Sequence, residues 1–338
     1  MEIKERINCL QKLMKENDIQ AYIIPTDDFH SSEYVGDYFK CREYMSGFTG
    51  SAGTLVVLEE SAYLWTDGRY FLQADKQLEK TGIVLMKSGQ SDVPIIEEFL
   101  KRELKEGDTI GFDGRTISKN FADKLLERIK EKNIKINGTV DLVNIIWKNR
   151  PEISKEQVWQ LDIKYAGISR KEKMKKIREK MKEAGADVFI DAALDEIAWL
   201  LNLRGNDIAY TPVFLSYMII REDRAILCIH REVISEKIED ELKEDGIAIA
   251  EYEEIYKLAD EISDKEKVLY DSGSINYNLY NSINKNATII NRESPIALMK
   301  AMKNPVEVEN IKKAHIKDGV AMCKFIFFEE KRTFGKCF

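Results

Sequence analysis

Three histidines, His30, His230 and His315, are the only imidazoles in the 338-residue chain, and no two lie within five residues of each other. No H-E-x-x-H or comparable ligand spacing occurs, so local sequence offers no transition-metal motif. His30 follows Asp27-Asp28, a grouping with oxygen and nitrogen donors, but a polar turn after a strand accounts for it better. Asp271-Ser272-Gly273 is a lone carboxylate in a turn and offers a metal little. The glycine-rich residues 47–53 (GFTGSAG) lack the G-K-[ST] ending of a phosphate loop and precede a strand, so no helix N-terminus would face a phosphate. No G-x-S-x-G elbow occurs, and no cysteine has a histidine nearby to act as its base. What remains is Trp65-Thr66-Asp67-Gly68-Arg69-Tyr70, an aromatic, a carboxylate and a guanidinium at a strand-to-helix junction. Arg69 could present a planar fork of donors to a carboxylate or peptide carbonyl; alternatively, Arg69 and Asp67 simply tie the turn together.

The elements that must position this cluster recur along the chain. Ile7, Leu10, Leu13 and Met14 mark an amphipathic helix ending near Asn17-Asp18, followed by a short buried strand at 21–24. Residues 54–58 and 62–66 read as a hairpin around Glu59-Glu60-Ser61, and a further helix starts near Tyr70. A second amphipathic helix runs over 172–184 to a Gly185 stop, then a strand at 188–190, then a hairpin of 213–220 with 225–229. Placing Glu5 over Glu172 aligns Ile23 with Ile190, an offset of 172 − 5 = 167, and the matching order predicts an internal duplication. Pro151 marks the boundary between the copies, and 287–290 closes the second. Beyond Ser294-Pro295 the pattern is helical through 306–328, too little to make a domain by itself.

Composition bounds the function. A net charge of −7 argues against a nucleic-acid or anionic-membrane partner, and the basic cluster at 170–176 reads as the solvated face of a helix. The longest apolar runs, such as 213–220, are far too short to span a bilayer, and the charged N-terminus is wrong for a signal peptide. Five scattered thiols, Cys9, Cys41, Cys228, Cys323 and Cys337, include no C-x-x-C pair. A soluble cytoplasmic protein is the expectation.

Residues 21–25 (AYIIP), 30–34 (HSSEY), 46–54 (SGFTGSAGT) and 64–74 (LWTDGRYFLQA) together resemble the first domain of the long, three-domain Xaa-Pro aminopeptidases of peptidase family M24. Residues 193–205 (ALDEIAWLLNLRG) and 212–217 (PVFLSY) are similar to their second domain, and 300–305 (KAMKNP) and 314–319 (AHIKDG) to the opening of their third. The resemblance implies an α/β chain of two tandem creatinase N-terminal-like domains, each a mixed sheet flanked by helices. They would occupy 1–150 and 151–293, with 294–338 the start of an incomplete "pita-bread" domain. It also implies removal of an N-terminal residue before proline, by a C-terminal domain whose two Asp, one His and two Glu hold two Mn²⁺ ions. None of those ligands has a counterpart here, so no catalytic or metal residue is assigned in this chain. The family arginine that contacts bound peptide corresponds to Arg69. The implied partners are peptides with proline at the second position and a second copy, as a homodimer. The family's third domain would run on for a further ~250 residues. Residues 331–338 (KRTFGKCF) also depart from its continuation, so a truncated chain, inactive alone, is expected. Self-association through the open apolar face of helix 306–328 is expected too. The alternative is a non-catalytic module that pairs with itself or with a full-length relative.

Overall fold

The computed structural model describes residues 1–334. The helix Ile3–Glu16 buries Ile7, Leu10 and Met14 on one face. It is followed by β1 (Ala21–Pro25), β2 (Thr54–Leu58), β3 (Ala62–Thr66), β4 (Ile83–Lys87), β5 (Thr109–Gly111) and β6 (Lys135–Asn137). They form one mixed sheet in the order β4-β3-β2-β1-β5-β6, with β1 antiparallel to β2 and parallel to β5. Side chains alternate across β1: Tyr22 and Ile24 join Leu10, Met14 and Leu55, whereas Ala21 and Ile23 join Val56, Trp65 and Phe99. Both faces of the sheet are covered, which is why its strands read as unbroken apolar runs.

A two-stranded ribbon, β7 (Trp159–Gln160) with β9 (Leu203–Arg204), flanks the second half. There β8 (Val188–Asp191), β10 (Ser216–Arg221), β11 (Ala225–Ile229), β12 (Ile247–Ala250), β13 (Lys267–Tyr270) and β14 (Thr288–Asn291) build a second sheet ordered β12-β11-β10-β8-β13-β14. Strand for strand this is the order of the first sheet, and the duplication is visible as topology. Ile23 pairs with Val56 in the first sheet, and Ile190 pairs with Ile219 in the second. The helix Arg170–Ala184 preceding β8 is fixed at both ends, by a Ser169–Glu172 capping box and by Gly185 at φ +70°.

One expected element moves. Strand β10 begins at Ser216 rather than Val213, because Asp207 holds the intervening residues in a loop. Asp207 N–H donates to the Val213 carbonyl at 3.2 Å, and Leu215 N–H donates to Asp207 Oδ2 at 2.8 Å. Those backbone groups are therefore unavailable to a sheet ladder.

The two sheets interlock. Phe29 and Phe39, from the first half, are buried in the hydrophobic cluster of the second. His30 beside them is buried, with Nδ1 2.9 Å from the Ala192 carbonyl and Nε2 2.6 Å from the Tyr252 hydroxyl. Lower down, Lys119 N–H donates to Ile275 O at 2.9 Å, Tyr277 N–H to Ile117 O at 2.8 Å, and Asn278 N–H to Gly114 O at 3.0 Å.

The helix Pro305–Phe334 is anchored at its base. Asn304 Oδ1 accepts from the N–H groups of Val306 and Glu307, and Trp199 Nε1 donates to Glu307 Oε1 at 3.0 Å. Beyond that base Ile316, Val320, Met322, Phe325, Ile326 and Phe328 are exposed. Of the tail that departs from the family pattern, residues 335–338 lie outside the described residues.

Candidate functional site

The junction after β3 is built from its strand outward. Trp65 is buried against Phe99 at 5.0 Å between ring centroids, and its Nε1 donates to the Pro94 carbonyl at 2.9 Å. Thr66, also buried, donates through its hydroxyl to the Ala52 carbonyl at 2.6 Å, tying the strand end to the glycine-rich turn. The chain then emerges, and Asp67 and Arg69 are side by side at the surface. Asp67 Oδ1 accepts from Arg69 N–H at 3.0 Å and from Nε at 2.9 Å, while Oδ2 accepts from Nη2 at 2.8 Å. These bonds draw the Asp67 carboxyl below its ordinary range, and the same pair raises Arg69.

Arg69 is tied to Asp67, and the tie leaves part of its guanidinium unengaged by Asp67. A guanidinium has five N–H bonds. Asp67 engages two, so three remain on a head group whose side chain is 67% exposed. The carboxylate orients the fork and leaves its outer edge able to grip a carbonyl or carboxylate. Next to it the Tyr70 hydroxyl lies 2.6 Å from Ser51 Oγ, and the Tyr70 ring packs edge-on against Phe48.

Sequence reasoning missed Arg42. This buried residue organises the glycine-rich turn from beneath: Nε donates to Thr26 Oγ1 at 2.9 Å, and its Nη groups donate to the carbonyls of Phe48 and Gly50. Burial lowers its pKa to about 10. A Cβ on Gly50 would come within 2.2 Å of the Phe48 ring, and one on Gly53 within 2.9 Å of the Trp65 carbonyl. The glycines therefore serve close packing, in keeping with a structural turn. The signal available was faint, since Arg42 lies in a short helix (Cys41–Ser46) with no apolar repeat around it.

Buried titratable groups elsewhere are engaged within the protein. Both ring nitrogens of His30 have partners, and burial lowers its pKa. Asp28, beside it, accepts from His30 N–H at 2.8 Å and Ser32 N–H at 3.0 Å. A second cluster unites buried Asp191, Glu196 and Ser294 with half-buried Asp271. Ser294 Oγ donates to Glu196 Oε2, and Ser294 N–H donates to Asp271 Oδ2 at 3.0 Å. Burial pushes both Asp191 and Glu196 up, Glu196 to about 7. Among the described residues no three His, Cys, Asp or Glu side chains are arranged to hold a metal ion. The described residues do not fit a dinuclear centre. Burial also pushes the Cys41 and Cys228 thiols up to about 12, so neither is an activated nucleophile. Among the described residues no helix is long and apolar enough to cross a membrane.

Comparison with known proteins gives this architecture its class. Models of the creatinase/prolidase N-terminal domain match residues 6–146 and, separately, 149–307. Each half is thus a creatinase-type N-terminal domain. The chain is 37% identical over 343 residues to Xaa-Pro aminopeptidase 1 of Dictyostelium discoideum, covering 99% of this chain and 54% of that one. It is 34% identical to aminopeptidase P2 of Arabidopsis thaliana, over 96% of this chain and 51% of the relative. The crystal structure of an X-prolyl aminopeptidase from Caenorhabditis elegans, described as a cytosolic enzyme with a di-nuclear active site, superposes with a TM-score of 0.91 at 31% identity. It covers 98% of this chain and 56% of that one. The chain belongs to the Xaa-Pro aminopeptidase family of M24 metallopeptidases. It spans about half the length of the curated relatives it matches.

Proposed function

We propose that these residues form the N-terminal, substrate-contacting part of an Xaa-Pro aminopeptidase. In this reading Arg69 binds the backbone of a peptide whose second residue is proline. The observation that carries it is the oriented, outward-facing guanidinium, held by Asp67 with three N–H groups to spare, inside the string that matches the family. Residues 1–150 and 151–293 act as the two N-terminal domains and 294–338 begin the third. Hydrolysis needs a pair of manganese ions and a domain that supplies their ligands. Residues 1–338 therefore do not cleave peptides by themselves, and they work in a cytoplasmic homodimer.

A cleavage assay tests the first half of this reading: Ala-Pro-Ala with added Mn²⁺ should be left intact by the purified chain. Proline-specific hydrolysis that survives repurification overturns it. Arg69 is tested by binding, for which R69A should weaken Ala-Pro-Ala about tenfold, the loss of one charge-assisted contact. The exposed apolar residues of helix Pro305–Phe334 favour a second reading, a non-catalytic module that pairs with itself or a full-length relative. Size-exclusion chromatography with that relative distinguishes the two by the presence of a stable mixed dimer.

A further inference from the structure

A cleft of about 270 Å³ opens between the two domains, beside the glycine-rich turn. One wall comes from the first domain, with Tyr34, Val35 and Phe39; the opposite wall is Ile208, Ala209 and Tyr210 of the second. Ser51 lines the cleft and is bonded to the hydroxyl of Tyr70, the residue after Arg69. Tyr34 is near enough to Arg69 to act on its charge. The cleft and the guanidinium therefore share one surface.

Tyr210 is built against its own backbone preference. Thr211 N–H donates to the Ile208 carbonyl at 3.1 Å, closing a turn in which Tyr210 takes φ +62°. That position favours glycine or asparagine, and an aromatic residue is strained there. The strain is not repaid by packing, because the Tyr210 side chain is fully exposed. A bulky ring held at a cleft rim, at a backbone cost and with no internal contact, is arranged for something that arrives from outside.

The lining decides the chemistry. Glu33 and Glu43 are balanced by Lys40 and Arg42, so the cleft has no net formal charge. Lys40 is paired with Asp37, and Arg42 is engaged by Thr26 and two carbonyls. No cation is left over to select an acidic guest, and Glu33 and Glu43 would repel one, whereas Val35, Phe39 and Ile208 line the cleft with apolar groups. The volume suits one or two side chains and is small for a cofactor.

We infer that this cleft is a subsite for an uncharged apolar or aromatic side chain of a peptide held at Arg69, at a residue downstream of the proline. The inference rests on the Arg69 reading and adds a determinant for longer substrates. An extended strand advances about 3.3 Å per residue with side chains alternating, so a peptide gripped at Arg69 offers the cleft every second side chain.

The test is a methyl-resonance titration of the 338-residue chain with Ala-Pro-Ala-Gly-Gly and with variants carrying Phe or Glu at position four or five. Val35 and Ile208 supply the reporter methyls. The expected result is at least fivefold tighter binding for one Phe peptide over the Gly peptide. The Val35 and Ile208 methyls shift, and the Glu peptides gain nothing. Y210A should abolish the Phe gain, and Y210N, which suits the left-handed backbone, should do the same without strain. Equal binding of Phe and Gly peptides, unmoved reporter methyls, or no saturable binding at several millimolar peptide overturns the subsite. R69A separates the two readings. If it weakens all peptides alike but no Phe gain exists, the cleft fails and Arg69 stands. If the Phe gain persists and R69A changes nothing, the Arg69 reading is the one that fails.

Discussion

Asp67 grips Arg69 at three points, accepting its backbone N–H and two of its guanidinium N–H bonds, so that a flexible side chain is held like part of the turn. Replacing Asp67 by Asn should free the fork without unfolding the chain. Peptide binding should fall toward the level of R69A, with the melting temperature nearly unchanged, as measured by titration beside thermal denaturation. The pairing lowers the Asp67 pKa, so its contribution is present above the unfolded carboxyl value, near 4, and is lost as pH falls through the lower folded value. Arg69-dependent binding should therefore persist through neutral and mildly acidic pH.

Arg42 behaves differently because it is buried. R42M leaves the Phe48 and Gly50 carbonyls without their donor, at a cost of about 3 kcal/mol. Denaturant unfolding should show that loss, and R42K should recover part of it.

His30 predicts an acid-sensitive junction. Burial lowers its pKa, so the neutral ring stabilises the fold fully above the unfolded value of about 6.5, and that stability drains away as pH falls below it. H30A should remove this pH dependence while destabilising the fold at pH 8. It leaves the Tyr252 hydroxyl and the Ala192 carbonyl without their partner.

Glu196 has the opposite sign. Its folded pKa is raised to about 7, so stability is greatest below the unfolded carboxyl value and is lost as pH rises through the folded one. E196Q should flatten unfolding free energy between about pH 4.5 and 7. A slope identical to that of the parent chain would sink this assignment.

The helix Pro305–Phe334 predicts self-association. F325E combined with I326E places charge on an exposed apolar surface and should shift the chain toward monomer in light scattering. A parent chain that is already monomeric at high concentration contradicts it.

Local pattern carried most of the architecture. The apolar stripe of Ile7, Leu10 and Met14 and the hairpin at 54–66 are visible because burial imposes a period on neighbours in sequence. The offset aligning Ile23 with Ile190 showed a repeat, but only the strand order showed that both copies close in the same way. Long-range capture was invisible. Asp207 withdraws residues 213–215 from a strand, and Arg42 reaches carbonyls six and eight residues away. The strain at Tyr210 was equally hidden, since Ala-Tyr-Thr carries no turn signature. Arg69 was legible as a donor beside a carboxylate; how many of its N–H bonds that carboxylate leaves over was not.

The seat of Phe29 and His30 in the second domain bears on the birth of the molecule. The ribosome releases His30 222 residues before Tyr252, the hydroxyl that receives it. At ordinary elongation rates, roughly 10 to 45 s pass between them. Through that interval the first sheet can close, yet its aromatic wedge has nowhere to go. The nascent chain must travel with Phe29 and Phe39 uncovered until its younger twin is complete, a window in which chaperones, or a neighbouring polysome's second domain, compete for the same surface.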